Sequence, residues 1–183
     1  ISDIRFRFTG SDGQLTIDGE PDGEPFKGKT KDWVIKRELK TKPGTIFNRK
    51  ILEADISRLY ATSLFDDVRV SLGNDNLNPG QVIVFLDLTE QRTGSLTGGL
   101  GYSSSSGIFA TIGLQETNAL GRAWNTNLNL NFGEYSSTYN FTFSDPWIKG
   151  DKHKTSFRTN IFLSRDYPQE FKSEKNGRIY AVD

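Results

Sequence analysis

Few residues in this 183-residue chain could carry out catalytic chemistry. There is one histidine, His153, and no cysteine, so neither thiolate chemistry nor a disulfide framework is available. His153 lies in a charged turn with no Gly-x-Ser-x-Gly motif nearby, which favours a solvated loop residue over a catalytic base. Asp66 and Asp67 are adjacent, and neighbours on a strand point to opposite faces, which disfavours shared acid–base work. These patterns predict a protein that is not an enzyme.

A cluster of acidic residues follows the first predicted strand and raises the alternative of a calcium ion. Its members are Asp12, Asp18, Glu20, Asp22 and Glu24. Their spacing misses the EF-hand loop, and Asp-Gly turn dipeptides occur three times in the same stretch, which favours turn chemistry. We therefore predict no metal and no cofactor. The formal net charge of zero gives no indication of nucleic-acid binding.

The charged residues are distributed unevenly along the chain, and this distribution predicts two domains. Residues 1–92 contain 14 Lys and Arg and 15 Asp and Glu, whereas residues 93–148 contain four charged residues in total. The second stretch is instead rich in Gly, Ser, Thr and Asn with regularly spaced aromatic residues, unlike an ordinary soluble surface. We place the domain boundary between residues 92 and 93, giving domains 1–92 and 93–183.

The first half predicts a small α+β domain with the order β-α-α-β-β. Period-two alternation and turn signals predict strands at Ile4–Phe8, Phe65–Leu72 and Gln81–Glu90. A turn-rich stretch, 10–28, separates the first strand from a helix at Asp32–Leu39, for which Thr30 is the expected cap. Asn48 is the expected cap of a second helix. The core-facing stripe of that helix is Leu52, Ile56, Leu59 and Tyr60.

The second half predicts strands only, each about the length that crosses a bilayer when tilted. The six predicted strands are Gly94–Ser103, Ile108–Thr117, Ala123–Phe132, Tyr139–Asp145, Thr155–Arg165 and one from Arg178 onward. This pattern is typical of an antiparallel transmembrane β-barrel.

The segment Trp124–Phe132 shows the barrel pattern most clearly. Asparagine occupies every second position, and aromatic or aliphatic residues occupy most of the positions between. A barrel wall needs an apolar side toward lipid and a polar side toward the lumen. A soluble sheet with one face on a core is the main alternative, and a fibre-like asparagine stack is a weaker one. Trp124 and Trp147, near predicted strand ends, are expected to anchor the protein at the membrane interface.

Several short motifs occur in the order found in a known protein family. They are Leu64-Phe-Asp-Asp-Val68, Thr93-Gly-Ser-Leu96, Gly99-Leu-Gly-Tyr102, Asn118-Ala-Leu-Gly121 and Ser144-Asp-Pro-Trp147. In this order they resemble the last POTRA (polypeptide-transport-associated) domain and the first barrel strands of BamA-type outer-membrane assembly barrels. The relatives of that family include the chloroplast Toc and mitochondrial SAM channels. The long acidic stretch after the first strand resembles the cyanobacterial and plastid branch.

The resemblance implies a barrel of about sixteen strands that inserts or translocates other proteins through a weakly closed seam, the lateral gate. The gate strand would be Gly94–Ser103, with Gly94, Leu96, Gly98, Gly99, Gly101 and Tyr102 as its site residues. Glycine weakens a strand by about 0.5–1 kcal/mol relative to alanine, which is a physical reason for weak closure. An exposed strand edge is a template for another strand. The expected client-pairing edge of the POTRA sheet consists of Asp67, Val68, Arg69, Val70 and Leu72.

The implied partners are unfolded outer-membrane or precursor proteins, outer-membrane lipid and accessory assembly subunits, with no nucleic acid. The implied location is a bacterial outer membrane or plastid outer envelope, with the POTRA domain in the periplasm or intermembrane space. Six strands are too few for closure, which needs at least about eight, so we expect this chain either to be a fragment of a larger barrel or to pair its sheet edges with another chain. Two alternatives remain open, a two-partner-secretion transporter and a soluble β-rich binding or adhesion module.

Overall fold

The computed structural model of the protein describes residues 1–9, 27–76, 78–104 and 107–166. The expected turn-rich stretch with its alternative calcium site, apart from residues 27 and 28, and the sixth strand from Arg178 lie outside these residues. The chain divides into two compact units. The first unit comprises residues 1–93 together with 118–123, and the second comprises 94–117 and the chain from Trp124 onward.

The first unit has the predicted β-α-α-β-β order. Its elements are β1 (Asp3–Thr9), α1 (Asp32–Glu38), α2 (Arg49–Ala61), β2 (Phe65–Asn74) and β3 (Val82–Glu90). Strand β3 is central, with β1 parallel on one side and β2 antiparallel on the other. A crossover that contains helices is required here because parallel strands cannot be joined by a tight turn.

Alternation along β3 produces the core of the first unit. Val84, Leu86 and Leu88 are at most 1% exposed and lie on one face of the sheet, where Leu86 and Leu88 join α1 and α2 residues in one apolar cluster. The stripe predicted on α2 is confirmed at Leu52 and Leu59, which are buried, whereas Tyr60 is 42% exposed.

The two helix starts differ in how well the sequence predicted them. The side chain of Asn48 accepts hydrogen bonds from the backbone N–H groups of Lys50 and Ile51, so the predicted cap of α2 is confirmed. The predicted cap of α1 is wrong, because its N-cap is Lys31 and has no side-chain hydrogen bond. Thr30 is instead buried, and its hydroxyl accepts a hydrogen bond from the side chain of Asn118.

The second unit is a five-stranded antiparallel sheet in the described part of the chain. Its strands are β4 (Gly94–Ser103), β5 (Gly107–Ala119), β6 (Trp124–Gly133), β7 (Ser136–Asp145) and β8 (Phe157–Asp166). They neighbour one another in chain order. Among the described residues, no helix is long and apolar enough to cross a membrane.

Candidate functional site

One face of the second-unit sheet is polar and uncharged along β6 and β7. Asn129 pairs with Asn140 on the neighbouring strand, and directly opposed residues share a face. The Asn129 side chain donates to the Asn127 side-chain oxygen at 2.5 Å, and the Thr142 hydroxyl donates to the Asn140 side-chain oxygen at 3.4 Å. These polar side chains therefore bond to one another along the strands.

The opposite face of this sheet is apolar. Leu128 pairs with Phe141 and Leu130 with Tyr139, and the rings of Phe132 and Tyr139 meet edge to face with centroids 5.5 Å apart. Phe141 and Phe132 remain about 40% exposed (39% and 42%). An exposed apolar face opposite a wet polar face is the arrangement expected of a barrel wall.

The predicted gate strand, β4, is highly exposed. It pairs with β5 in register from Gly94 opposite Glu116 to Ser103 opposite Gly107, and it forms one end of the described sheet. Leu96, Leu100 and Tyr102 are 72–85% exposed. With little side-chain burial, this strand is held mainly by its ladder of backbone hydrogen bonds.

The glycines of β4 are not equivalent. A Cβ placed on Gly98 would lie 3.8 Å from its nearest neighbour, the Thr111 carbonyl oxygen, and one on Gly99 would lie 3.3 Å from the Thr111 hydroxyl. At Gly101 the ring of Phe109 would lie 2.5 Å away. The Phe109 ring thus covers Gly101, a contact known to offset the weakness of glycine in a strand. Sequence reasoning missed this compensation because it depends on cross-strand register.

The predicted client-pairing edge, β2, forms one edge of the described three-stranded sheet. The Asp75 N–H donates to the Gln81 carbonyl at 3.2 Å, which makes the odd-numbered residues of β2 those that bond to β3. The even-numbered residues therefore direct their N–H groups away from β3. The Val68 N–H confirms this direction, since it donates to the Tyr60 hydroxyl at 3.0 Å.

Tyr60 covers the start of this edge. Its hydroxyl accepts from Val68 and donates to the Asp67 carboxylate at 3.0 Å. That hydrogen bond holds the pKa of Asp67 below its usual value, with a further contribution from Arg69, so the carboxylate is ionised at neutral pH. The N–H groups that remain directed outward beyond this point belong to Val70, Leu72 and Asn74. Local patterns could not reveal the cover, because Tyr60 belongs to α2.

The two tryptophans predicted as interface anchors lie in aromatic or hydrogen-bonded surroundings within the second unit. The Trp124 ring meets Phe143 edge to face, with centroids 5.4 Å apart. Trp147 Nε1 donates to the Asp151 carbonyl at 2.7 Å. Both residues lie beside the end of the sheet at which β4 begins, as the registers of β4–β5, β6–β7 and β7–β8 show.

Among the described residues, no cluster of three or more His, Asp or Glu could hold a metal ion. The described arrangement offers strand edges and an amphipathic sheet, and these support association with other chains and with lipid.

Comparison with known proteins assigns both halves of the chain. Residues 25–91 match the POTRA family (surface antigen variable number repeat), and residues 118–182 match the Omp85 superfamily domain. The chain contains a POTRA domain followed by an Omp85 superfamily domain. Its predicted fold class, a POTRA domain followed by strands of an outer-membrane barrel, is confirmed.

Named relatives of this chain come from plastids and bacteria. The chloroplastic outer envelope protein 80 of Oryza sativa subsp. japonica is 32% identical over 78% of this chain and 22% of its own length. The outer membrane protein assembly factor BamA of Buchnera aphidicola is 25% identical over 80% of this chain and 23% of its own length. The crystal structure of Haemophilus ducreyi BamA lacking POTRA domains 1–3 is 26% identical and covers 90% of this chain and 27% of that chain, with a TM-score of 0.64.

The chain therefore spans about a fifth to a quarter of the length of these relatives. It is a homologue of outer-membrane protein assembly factors, and the prediction that it is not an enzyme is confirmed by this homology.

The chain has one further feature that sequence reasoning missed: residues 118–123 are built into the first unit. Asn118 is 2% exposed; its side-chain nitrogen donates to the Thr30 hydroxyl at 2.8 Å, and its oxygen accepts from the Ala123 N–H at 2.8 Å. The Lys31 N–H donates to the Gly121 carbonyl at 2.9 Å. Ala123 is 7% exposed and belongs to the core cluster of the first unit.

Glu90 holds the other side of the segment that receives this turn. Its carboxylate accepts from the backbone N–H groups of Lys29 and Thr30 at 2.7 and 2.6 Å. Consecutive hydrogen bonds thereby join strand β3 to residues 29–31, and residues 29–31 to the turn. The sequence signal for this contact was the motif Asn118-Ala-Leu-Gly121, which by itself indicated only a family resemblance.

Proposed function

We propose that this chain is the client-receiving and gate-forming part of an outer-membrane insertase or translocase. Unfolded outer-membrane or precursor proteins add as a strand to the β2 edge and then pair with β4 at the lateral gate. The protein lies in a bacterial outer membrane or the plastid outer envelope, with the POTRA domain in the periplasm or intermembrane space. The rice relative supports the cyanobacterial and plastid branch. Accessory assembly subunits are further expected partners.

The observation that carries this proposal is the outward direction of backbone donors along β2. Val70 and Leu72 direct their N–H groups away from β3, and Leu72 is 52% exposed. Main-chain hydrogen bonds supply affinity when an extended chain adds to a sheet edge. Because Tyr60 occupies the Val68 N–H, we expect pairing to involve Val70 and Leu72 rather than the start of the strand.

The variant Leu72→Pro tests client pairing at β2. Proline removes the outward N–H without removing a bond to β3, and proline is tolerated at such edge positions. One lost hydrogen bond contributes about 0.5–1.5 kcal/mol, so we expect roughly 2- to 10-fold weaker binding. The measurement is the affinity of full-length protein for a synthetic peptide with the sequence of an outer-membrane barrel strand.

Leu72→Ala is the matched control for this experiment, because it removes the same side chain and keeps the N–H group. Equal affinities of the proline and alanine variants would contradict backbone pairing at this position. Hydrogen exchange of the β3 amides verifies that the proline variant remains folded.

The variant Gly98→Ala tests the weakness of the gate strand. An alanine methyl fits here at ordinary contact distance and should stabilise β4 by about 0.5–1 kcal/mol. If opening of β4 limits client assembly, the added stability raises the barrier to opening by the same amount. The assembly rate should then fall roughly 2- to 5-fold. The measurement is the rate of client assembly by full-length protein in lipid vesicles.

Ser95→Ala on the same strand serves as the comparison for Gly98→Ala, since it alters a side chain of β4 without replacing a glycine. An unchanged or faster assembly rate in Gly98→Ala would argue against gate opening as the limiting step.

A further inference from the structure

The turn between β7 and β8 is held by a dense set of hydrogen bonds. The Trp147 N–H donates to the Asp145 carboxylate at 3.1 Å, and the Ile148 N–H donates to the Thr155 carbonyl at 3.0 Å. The Asp151 carboxylate accepts from the backbone N–H groups of His153 and Thr155 at 3.1 and 2.7 Å. The turn thus has a defined shape that fixes where its side chains emerge.

The exposed charges of this turn are mainly positive. Lys149, Lys152 and Lys154 are exposed, as is His153. The opposing charges, Asp145 and Asp151, both accept hydrogen bonds from backbone N–H groups inside the turn, and these bonds lower the pKa of Asp151. At the other end of the sheet, the described turn between β6 and β7 has Glu134 as its charged residue.

Apolar and aromatic groups lie directly beside these lysines. The Lys154 ammonium is 4.5 Å from the centroid of the Trp147 ring, and Ile148 is 41% exposed. Phe157, the first residue of β8, is 51% exposed. Tryptophan with lysine at the end of a membrane strand is the combination found at headgroup depth.

We propose that the β7–β8 turn is a binding site for the headgroups of anionic phospholipids in the leaflet at that end of the sheet. The lysines bind the phosphate and the anionic headgroup, while Trp147 and Ile148 enter the interface between headgroups and acyl chains. Lysines near a membrane surface attract anionic lipid, and the attraction weakens as salt screens it. The inference rests on the proposed function only in requiring that these strands lie in a bilayer.

Fluorescence quenching of Trp147 tests the site in full-length protein in nanodiscs. Trp33→Phe and Trp124→Phe make Trp147 the sole tryptophan of this chain, and any other tryptophan of the full-length protein is replaced in the same way. The nanodiscs contain phosphatidylcholine and phosphatidylglycerol, and one of the two lipids is brominated in each experiment. We expect phosphatidylglycerol near Trp147 to exceed its bulk share by roughly 5-fold or more, since each nearby lysine contributes attraction of that order.

The triple variant Lys149→Gln, Lys152→Gln and Lys154→Gln should abolish the preference. The matched control, Lys40→Gln, Lys42→Gln and Lys50→Gln, removes the same charge from exposed positions of the first unit and should retain it. Lipid retention in native mass spectrometry gives a second readout that needs no tryptophan replacement.

Equal quenching by the two brominated lipids, or a preference that survives the triple variant, would overturn the proposed lipid site. Absence of quenching by either lipid would overturn it as well, because Trp147 would then lie outside the membrane interface. The client-assembly rate of the triple variant in phosphatidylcholine alone is a separate measurement. Loss of that rate would concern the proposed function and leave the lipid preference to be judged from the quenching.

Discussion

Replacing Gly121 with alanine should lower the free energy of unfolding of the first unit far more than replacing a glycine in an exposed turn would. Gly121 has φ of +70°, where a side chain is strained by about 1–2 kcal/mol. Its added Cβ would also lie 1.9 Å from the Lys29 carbonyl oxygen, so the backbone at Lys29 and the backbone of the turn must move apart. We expect a total loss of roughly 3 kcal/mol or more.

Hydrogen exchange of β3 amides in full-length, membrane-embedded protein measures this effect. Val84, Leu86 and Leu88 lie at the centre of the core, so their exchange reports opening of the whole unit. When these amides exchange through opening of the whole unit, a loss of about 3 kcal/mol in the free energy of unfolding corresponds to more than 100-fold faster exchange.

Gly80→Ala is the control for the contact made by Gly121. Gly80 has φ of +87° and nothing within 4 Å of an added Cβ, so this variant carries the conformational strain without the collision. If Gly121→Ala and Gly80→Ala accelerated exchange equally, the turn at 118–123 would contribute little to the first unit.

Replacing Asp55 with alanine should have an effect of similar or larger size. Asp55 is fully buried, and its carboxylate accepts from the backbone N–H groups of Lys40 and Thr41 at 2.9 and 2.8 Å. It also pairs with the guanidinium of Arg58. The substitution leaves two amides and a partly buried cation without their acceptor, so we expect about 3–5 kcal/mol of destabilisation.

Glu53→Ala provides the comparison on the same helix. Glu53 pairs with Arg49 at 2.8 Å, but both side chains are largely exposed, and such pairs contribute about 0.3–0.5 kcal/mol. The β3 exchange rates should therefore change little in Glu53→Ala and strongly in Asp55→Ala. Comparable rates in the two variants would show that burial of Asp55 does not determine its contribution.

The sequence predicted the features that repeat at short range. The asparagine alternation indicated both faces of β6, and the bounds of β4 were predicted at both ends because turn residues flank a period-two pattern. Asn48 was recognisable as a cap because its role depends on residues two and three positions away.

The features that the sequence could not predict depend on contacts between distant segments. Thr30 has the right type and place for a cap, but a partner 88 residues away occupies its hydroxyl. The cover of Val68 by Tyr60 and of Gly101 by Phe109 likewise depends on how one element lies against another. Residue type and spacing carry no record of such contacts, so the open part of the β2 edge became clear only from the fold.

The inclusion of residues 118–123 in the first unit also sets the order in which the protein can fold. A chain that has been released only as far as residue 93 holds all the strands of the POTRA sheet but lacks Asn118, Gly121 and Ala123. Closing the contact between Thr30 and Asn118 requires a loop of 88 residues, and such closures are slow because their entropy is lost before the contact is gained. We therefore expect the POTRA domain to mature in two kinetic steps, the second waiting for the first hairpin of the barrel.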